Sequence, residues 1–228
     1  MNITFTEVID LTIPIRAGTD PVPPALKQAG QKAEFSLFRT MEENKIQVGV
    51  YKQPIHCGTH LDTPGHVTPG GKLLDDYTMD AFMGMGYCAD VSQVKPNEAI
   101  TPEMLQPYAD KIKPGSVFLL YTGWNEKMYP STEYWDDSPT LSPEAGQWIA
   151  DQGVKFTGYD FFQEASAKIE INDPEKFDVH HAILDNGVLH CEHLTNLSKV
   201  VGTEFFYISL PLRIVGAEGS PTRAIALR

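Results

Sequence analysis

The sequence predicts an α/β domain built on a mixed central sheet, with residues 1–228 as one unit. Three observations carry that prediction. Strand-length apolar runs alternate with segments that begin and end on helix signals, both ends of the chain are strand-rich, and no linker or composition shift divides the 228 residues.

The elements follow in order. Residues 8–15 alternate apolar and polar side chains and read as a first strand, which runs into the loop Asp20-Pro21-Val22-Pro23-Pro24. Residues 45–51 read as a second strand. Thr101-Pro102-Glu103 supplies a capping residue, a proline at the first helical position and an acid in the first turn, so a helix is expected over 103–111. Lys113-Pro114-Gly115 then turns into a short buried strand, 116–121. The pattern recurs where Ser142-Pro143-Glu144 opens a helix to Asp151, Gly153 stops it, and 154–159 forms the next strand. In a third unit Asp178 is the expected cap, 180–186 the helix, Gly187 the stop and 188–192 the strand. Residues 205–210 and the tail from Thr222 are further strands.

Charge and composition exclude several functions. Eighteen Lys and Arg against thirty Asp and Glu give a net charge of −12, with no basic cluster to offset it. That charge repels nucleic-acid phosphates and anionic lipid, so neither nucleic acid nor membrane is an expected partner. No apolar run approaches the roughly 18 residues of a membrane span, and the first residues lack the basic and apolar regions of a signal peptide. Cys57, Cys88 and Cys191 are an odd number without repeated spacing, a poor disulfide framework. A reduced, cytoplasmic protein is expected.

Chemistry concentrates in two places. Three of the seven histidines fall within His56-Cys57-Gly58-Thr59-His60-Leu61-Asp62-Thr63-Pro64-Gly65-His66. Glycine, proline and β-branched threonine oppose a helix there. In an extended chain, His56, His60, Asp62 and His66 share one side and Cys57 faces the other. Imidazoles with a carboxylate suit divalent zinc, manganese or iron. A second group, His180, His181, His190, Glu192 and His193, reads either as a ligand set or as solvated polar residues.

The motif His56-x-Gly58-Thr59-His60-x-Asp62-x-Pro64-x-His66 resembles the signature of the cyclase-like metal-dependent hydrolases, the group of kynurenine formamidase and isatin hydrolase. The resemblance extends through Ile9-Asp10-Leu11-Thr12, Tyr121-Thr122-Gly123-Trp124, Gly158-Tyr159-Asp160, His180 followed twelve residues on by Glu192, Leu194-Thr195-Asn196-Leu197, and Gly219-Ser220-Pro221-Thr222-Arg223-Ala224. It implies a single swivelling β/β/α domain in homodimers or homotetramers, with two divalent metal ions per chain, zinc or manganese. His56 and His60 would bind the first metal, Asp62 would bridge both, His180 would bind the second, Glu192 would help hold the pair, and His66 would be the general acid/base. The twelve-residue step favours His180 over His181.

The implied activity is hydrolysis of a small linear or cyclic amide, arylformamidase-like, through a metal-bridging hydroxide. A lactone hydrolase of the same family and a non-catalytic module binding a metal or a small acid are the alternatives. An unligated His66 argues against the second, since a structural site has no use for it. Three departures bear on substrate. The Pro-rich loop lacks the aromatic that formamidases of the family place there, Val67 stands where Phe is common, and Gly158-Tyr159-Asp160 continues into Phe161-Phe162-Gln163-Glu164. His190 is expected to pack against its neighbours, His193 to face away by strand parity, and Trp124, Tyr129 and Trp135 to lie in the core or on a pocket wall.

Overall fold

The computed structural model describes residues 5–18, 22–169 and 173–228. Asp20 and Pro21 of the Pro-rich loop lie outside the described residues. In chain order the strands are β1 (Val8–Asp10), β2 (Glu34–Arg39), β3 (Val48–Lys52), β4 (His60–Asp62), β5 (Met83–Asp90), β6 (Ala99–Ile100), β7 (Val117–Tyr121), β8 (Thr140–Leu141), β9 (Phe156–Tyr159), β10 (Leu189–Glu192), β11 (Glu204–Pro211) and β12 (Gly219–Leu227). Eight of them form one sheet in the order β1-β12-β11-β5-β7-β9-β10-β4, and β4 pairs with β12 as well, so the sheet closes on itself. Ladders β5–β7, β7–β9 and β9–β10 are parallel, whereas β4, β11 and β12 pair antiparallel with their neighbours. The mixed α/β sheet expected from the sequence is therefore present.

Strand β7 shows why the parallel half is apolar throughout. Val117 and Leu119 pack with Phe156, Leu189 and Cys191 on one face, while Phe118 and Leu120 pack with Ile149, Ile183 and Val188 on the other. A strand covered on both faces reads as a continuous apolar run. Helix Pro143–Asp151 starts as expected, with the Ser142 hydroxyl accepting from Ala145 N at 3.1 Å, and Gly153 follows at φ +71°.

Several elements differ from expectation for identifiable reasons. Strand β1 ends at Asp10, whose carboxylate accepts from Thr12 N at 3.1 Å, and beyond it Thr12 bridges to Leu194. Strand β3 begins at Val48 because Lys45, at φ 58°, terminates the short helix Met41–Asn44. The segment expected as one helix is an α turn over Pro102–Leu105 followed by a 3-10 stretch over Gln106–Lys111, the change falling just before Pro107, which has no amide hydrogen. Asp178 is not the cap of helix Asp178–Leu184. Glu164 does that work from another segment, its Oε2 accepting from Val179 N at 3.1 Å and His180 N at 3.2 Å.

Two of the matched motifs are architectural. Asp160 accepts from Thr122 N at 2.9 Å and Gly123 N at 2.7 Å, bracing the turn after β7. Arg223 on β12 grips Asp10 on β1 through both carboxylate oxygens, at 3.0 and 2.5 Å. Strand β12 also runs so close to β4 that a Cβ at Gly219 would lie 2.7 Å from Leu61 O and 2.9 Å from Asp62 Oδ1. Among the described residues no helix is long and apolar enough to cross a membrane.

Candidate metal centre

The register of β4 against β10 builds the centre. His190 lies opposite Asp62, Cys191 opposite Leu61, and Glu192 opposite His60. Alternation sends Leu61 and Cys191 into the apolar core and turns His60, Asp62, His190 and Glu192 to the other face.

The histidine motif is not one extended strand. Gly58 at φ +69° bends the chain before β4, and Pro64–His66 forms a 3-10 turn after it, so only His60 and Asp62 keep strand parity. The two bends nevertheless return His56 and His66 to the same place. Their rings stack at 3.9 Å, and His56 Nδ1 lies 2.9 Å from Asp62 Oδ1. His180 arrives from helix Asp178–Leu184 with its Nε2 3.2 Å from Glu192 Oε1. All six residues singled out by the resemblance, His56, His60, Asp62, His66, His180 and Glu192, thus converge. Cys57 is buried and joins none of the ligand groups.

Two histidines depart from expectation. His190 is not simply packed, because its Nε2 donates to Asp62 Oδ2 at 2.8 Å. His193 does not face away. It sits past the end of β10 at φ 56°, and this left-handed backbone breaks the strand parity and turns its Nε2 to 3.4 Å from Glu192 Oε2. His181 stays outside, half-buried and paired with Asp185 at 3.1 Å. Trp124 and Trp135 are buried in the core, although Trp135 also meets the His193 ring edge-on at 4.8 Å.

Residues 9–164 match the sequence profile of the Cyclase family, described as "Putative cyclase". The chain belongs to this cyclase family. A kynurenine formamidase from Salinibacter ruber is 29% identical over 187 residues, covering 82% of each chain. Another from Bacillus cereus is 27% identical over 184 residues, covering 81% of each. Isatin hydrolase A from Labrenzia aggregata shares the fold, with a TM-score of 0.82 at 21% identity over 97% of this chain and 93% of its own.

In this cyclase-family chain the donor set fits divalent metal. Ligand atoms of Asp62, His180, His190 and Glu192 lie within 4.8 Å of one another, as do those of His56, Asp62 and His66, and those of His60, Glu192 and His193. Asp62 and Glu192 are shared between groups and are buried, and His60 Nε2 is buried with no hydrogen-bond partner among the described residues. Buried unpaired groups of this kind are costly unless a further ligand satisfies them.

Electrostatics agree. Burial disfavours ionisation of Asp62 and Glu192, but the imidazoles outweigh it: His56 and His60 hold Asp62, and His180 and His193 hold Glu192, well below the usual carboxylate range. Both carboxylates are therefore charged at neutral pH, as cation ligands must be.

The centre opens on a cavity of about 190 Å³. Its wall carries His56, His60 and His66 on one side and Phe162 and Phe177 on another. The loop side supplies Pro23, Pro24, Ala25 and Leu26, so it is aliphatic, as the sequence expects. The aromatic surface comes instead from the segments flanking Glu164 and His180, which composition alone does not assign to the pocket.

Proposed function

We propose that the protein is a metal-dependent hydrolase that cleaves a small amide, linear or cyclic. The observation that carries this reading is the buried carboxylate pair Asp62 and Glu192, ringed by imidazoles and opening on a small cavity. The names of the relatives, formamidase and isatin hydrolase, support an amide as the bond cleaved. His56, His60, Asp62, His180 and Glu192 would hold two divalent ions, zinc or manganese, with Asp62 serving both. Bound there, such ions supply Lewis acidity and make a coordinated water acidic enough to react near neutral pH.

The chain's own side chains supply the rest. Among the described residues no hydrogen bond ties either ring nitrogen of His66, which lines the cavity against the His56 ring. It is placed to take up a proton and pass it to the departing nitrogen. Phe162, Phe177 and Leu26 exclude water and bind the apolar part of the substrate.

A cavity this small, with an aliphatic loop, favours compact cyclic amides over N-formylkynurenine. The test is a spectrophotometric panel of aryl formamides, lactams and lactones with zinc- or manganese-loaded protein. A lactam or a small formamide should give the highest kcat/KM. Lactones outrunning every amide would make it a lactone hydrolase, and no turnover across the panel would leave a binding module.

A homodimer or homotetramer completes the proposal. Strands β2 and β3 form a separate two-stranded sheet with Phe35, Leu37, Phe38, Val50 and Tyr51 exposed, an apolar patch suited to a second copy. Light scattering in solution tests it, and a monomer at micromolar concentration overturns it. The three buried thiols suit a reducing cytoplasm.

A further inference from the structure

The histidines of the centre sort into two kinds by what holds their outer nitrogen. His56 donates from Nε2 to Glu218 Oε1 at 3.1 Å, His60 from Nδ1 to Gly58 O at 2.8 Å, and His180 from Nδ1 to Glu164 Oε2 at 3.0 Å. Each points its other nitrogen at Asp62 or Glu192. An outward N–H bond fixes the tautomer and ring plane, which leaves the inner lone pair for a cation. Among the described residues His66 has no such anchor, and His190 spends its Nε2 hydrogen on Asp62 inside the cluster.

His193 is a fourth imidazole of the anchored kind. Its Nδ1 lies 2.8 Å from the Tyr134 hydroxyl, and its Nε2 faces Glu192. We propose that His193 is itself a metal ligand, sharing one ion with His60 and Glu192, and that Tyr134 is the positioning residue that fixes its tautomer. The proposal rests on the metal-dependent reading above and adds a ligand to it.

Three observations support the assignment. First, His193 Nε2 is buried with no hydrogen-bond partner among the described residues, just as His60 Nε2 is. The tautomer that donates from Nδ1 to Tyr134 takes from Nε2 the hydrogen it otherwise turns toward Glu192 and leaves a lone pair for a cation. Second, the spacing suits one ion. Glu192 Oε2 lies 3.4 Å from His193 Nε2 and 3.7 Å from His60 Nε2, near the ~3.4 Å edge of a tetrahedron with bonds of about 2.1 Å. Even with Asp62 shared between the ions, these donors stay within the four-coordinate preference of zinc.

Third, the backbone is held in the conformation that aims the ring. The left-handed φ of 56° at His193 is uncommon for a side chain of this size. Thr59 secures it, its hydroxyl donating to His193 O at 2.7 Å while accepting from Ile13 N at 3.0 Å. A second imidazole beside His60 also shifts the donor set toward nitrogen, which favours zinc over manganese at this position.

The experiment is zinc titration of metal-stripped protein against a chromophoric chelator, for wild type, His193→Gly and Tyr134→Phe, with circular dichroism to confirm folding. Glycine accepts the backbone at position 193, and phenylalanine keeps the buried ring at 134. His193→Gly should lose one zinc equivalent, and Tyr134→Phe should weaken the same equivalent by about 10–100-fold, while the other stays at wild-type affinity. If His193→Gly does not fold, Tyr134→Phe decides alone. Wild-type binding of both equivalents in both folded variants overturns the proposal and leaves the metal reading intact. Wild-type protein that takes up no zinc overturns both.

Discussion

His190 Nε2 and Asp62 Oδ2 are joined by a 2.8 Å hydrogen bond between residues set opposite each other on β10 and β4. The bond fixes one oxygen of Asp62 and leaves Oδ1 facing His56 at 2.9 Å and His60 at 3.6 Å. A fully buried carboxylate that loses a donor suffers the desolvation penalty of that missing bond. His190→Leu should therefore destabilise metal-free protein by about 1–3 kcal/mol, read by urea unfolding. Unchanged stability would mean that His190 only fills space.

Glu164 has two duties that one substitution separates. Its Oε2 caps the helix that carries His180 and also accepts from His180 Nδ1. Glu164→Gln keeps an acceptor oxygen but removes the charge behind the imidazole. Zinc affinity should fall by about 10–100-fold with stability changed by no more than about 1 kcal/mol. Equal zinc affinity in wild type and variant would show that the carboxylate serves the helix alone.

Much of this centre was legible in the sequence, and the gaps have physical causes. The residue types and spacing of His56, His60, Asp62 and His66 named a metal site, although two backbone bends rather than one extended strand bring them together. The roles of His190 and His193 were missed because strand parity does not reveal register, and because a left-handed turn at a histidine reverses the face. A positive-φ turn just after a strand, preceding Leu194-Thr195-Asn196, has no clear mark in one sequence. Glu164 was hidden because its partner helix lies beyond a connecting segment. Strand β5, Met-Gly-Met-Gly-Tyr-Cys-Ala-Asp, is not among the expected strands because its glycines interrupt the apolar pattern; a Cβ at Gly86 would sit 3.1 Å from Phe205 Cε2 and from Val117, so that glycine marks close strand packing.

His66→Ala tests catalysis apart from metal binding. With no hydrogen bond anchoring either nitrogen among the described residues, the ring is free to exchange a proton with a bound substrate. Turnover should fall about 10²–10⁴-fold while metal content stays near wild type. Loss of a metal equivalent would make His66 a ligand, and full turnover would remove it from the mechanism.

Metal-free protein should show a bell-shaped stability against pH. Burial disfavours the charge on His56 and His180, but Asp62 and Glu218 around the first, and Glu164 and Glu192 around the second, raise both to about 10. Stability from these raised groups is full below about pH 6.5 and is lost as pH rises toward 10. Burial pushes His60 down to about 4 and His66 to about 3. Their contribution is present above about pH 6.5 and is lost as pH falls toward those values. Thermal unfolding in chelator should give the highest Tm near pH 6.5, declining by pH 9. A Tm that climbs steadily through pH 9 would contradict the ion-pair network.

The most direct test of the central claim is elemental analysis of stripped protein reconstituted with zinc, in wild type and Asp62→Ala. Asp62 belongs to two of the three ligand groups and touches His56, His60 and His190. The account predicts two zinc ions per wild-type chain and fewer than one in folded Asp62→Ala. A wild-type chain that retains no zinc, or an Asp62→Ala chain that retains two, would contradict it.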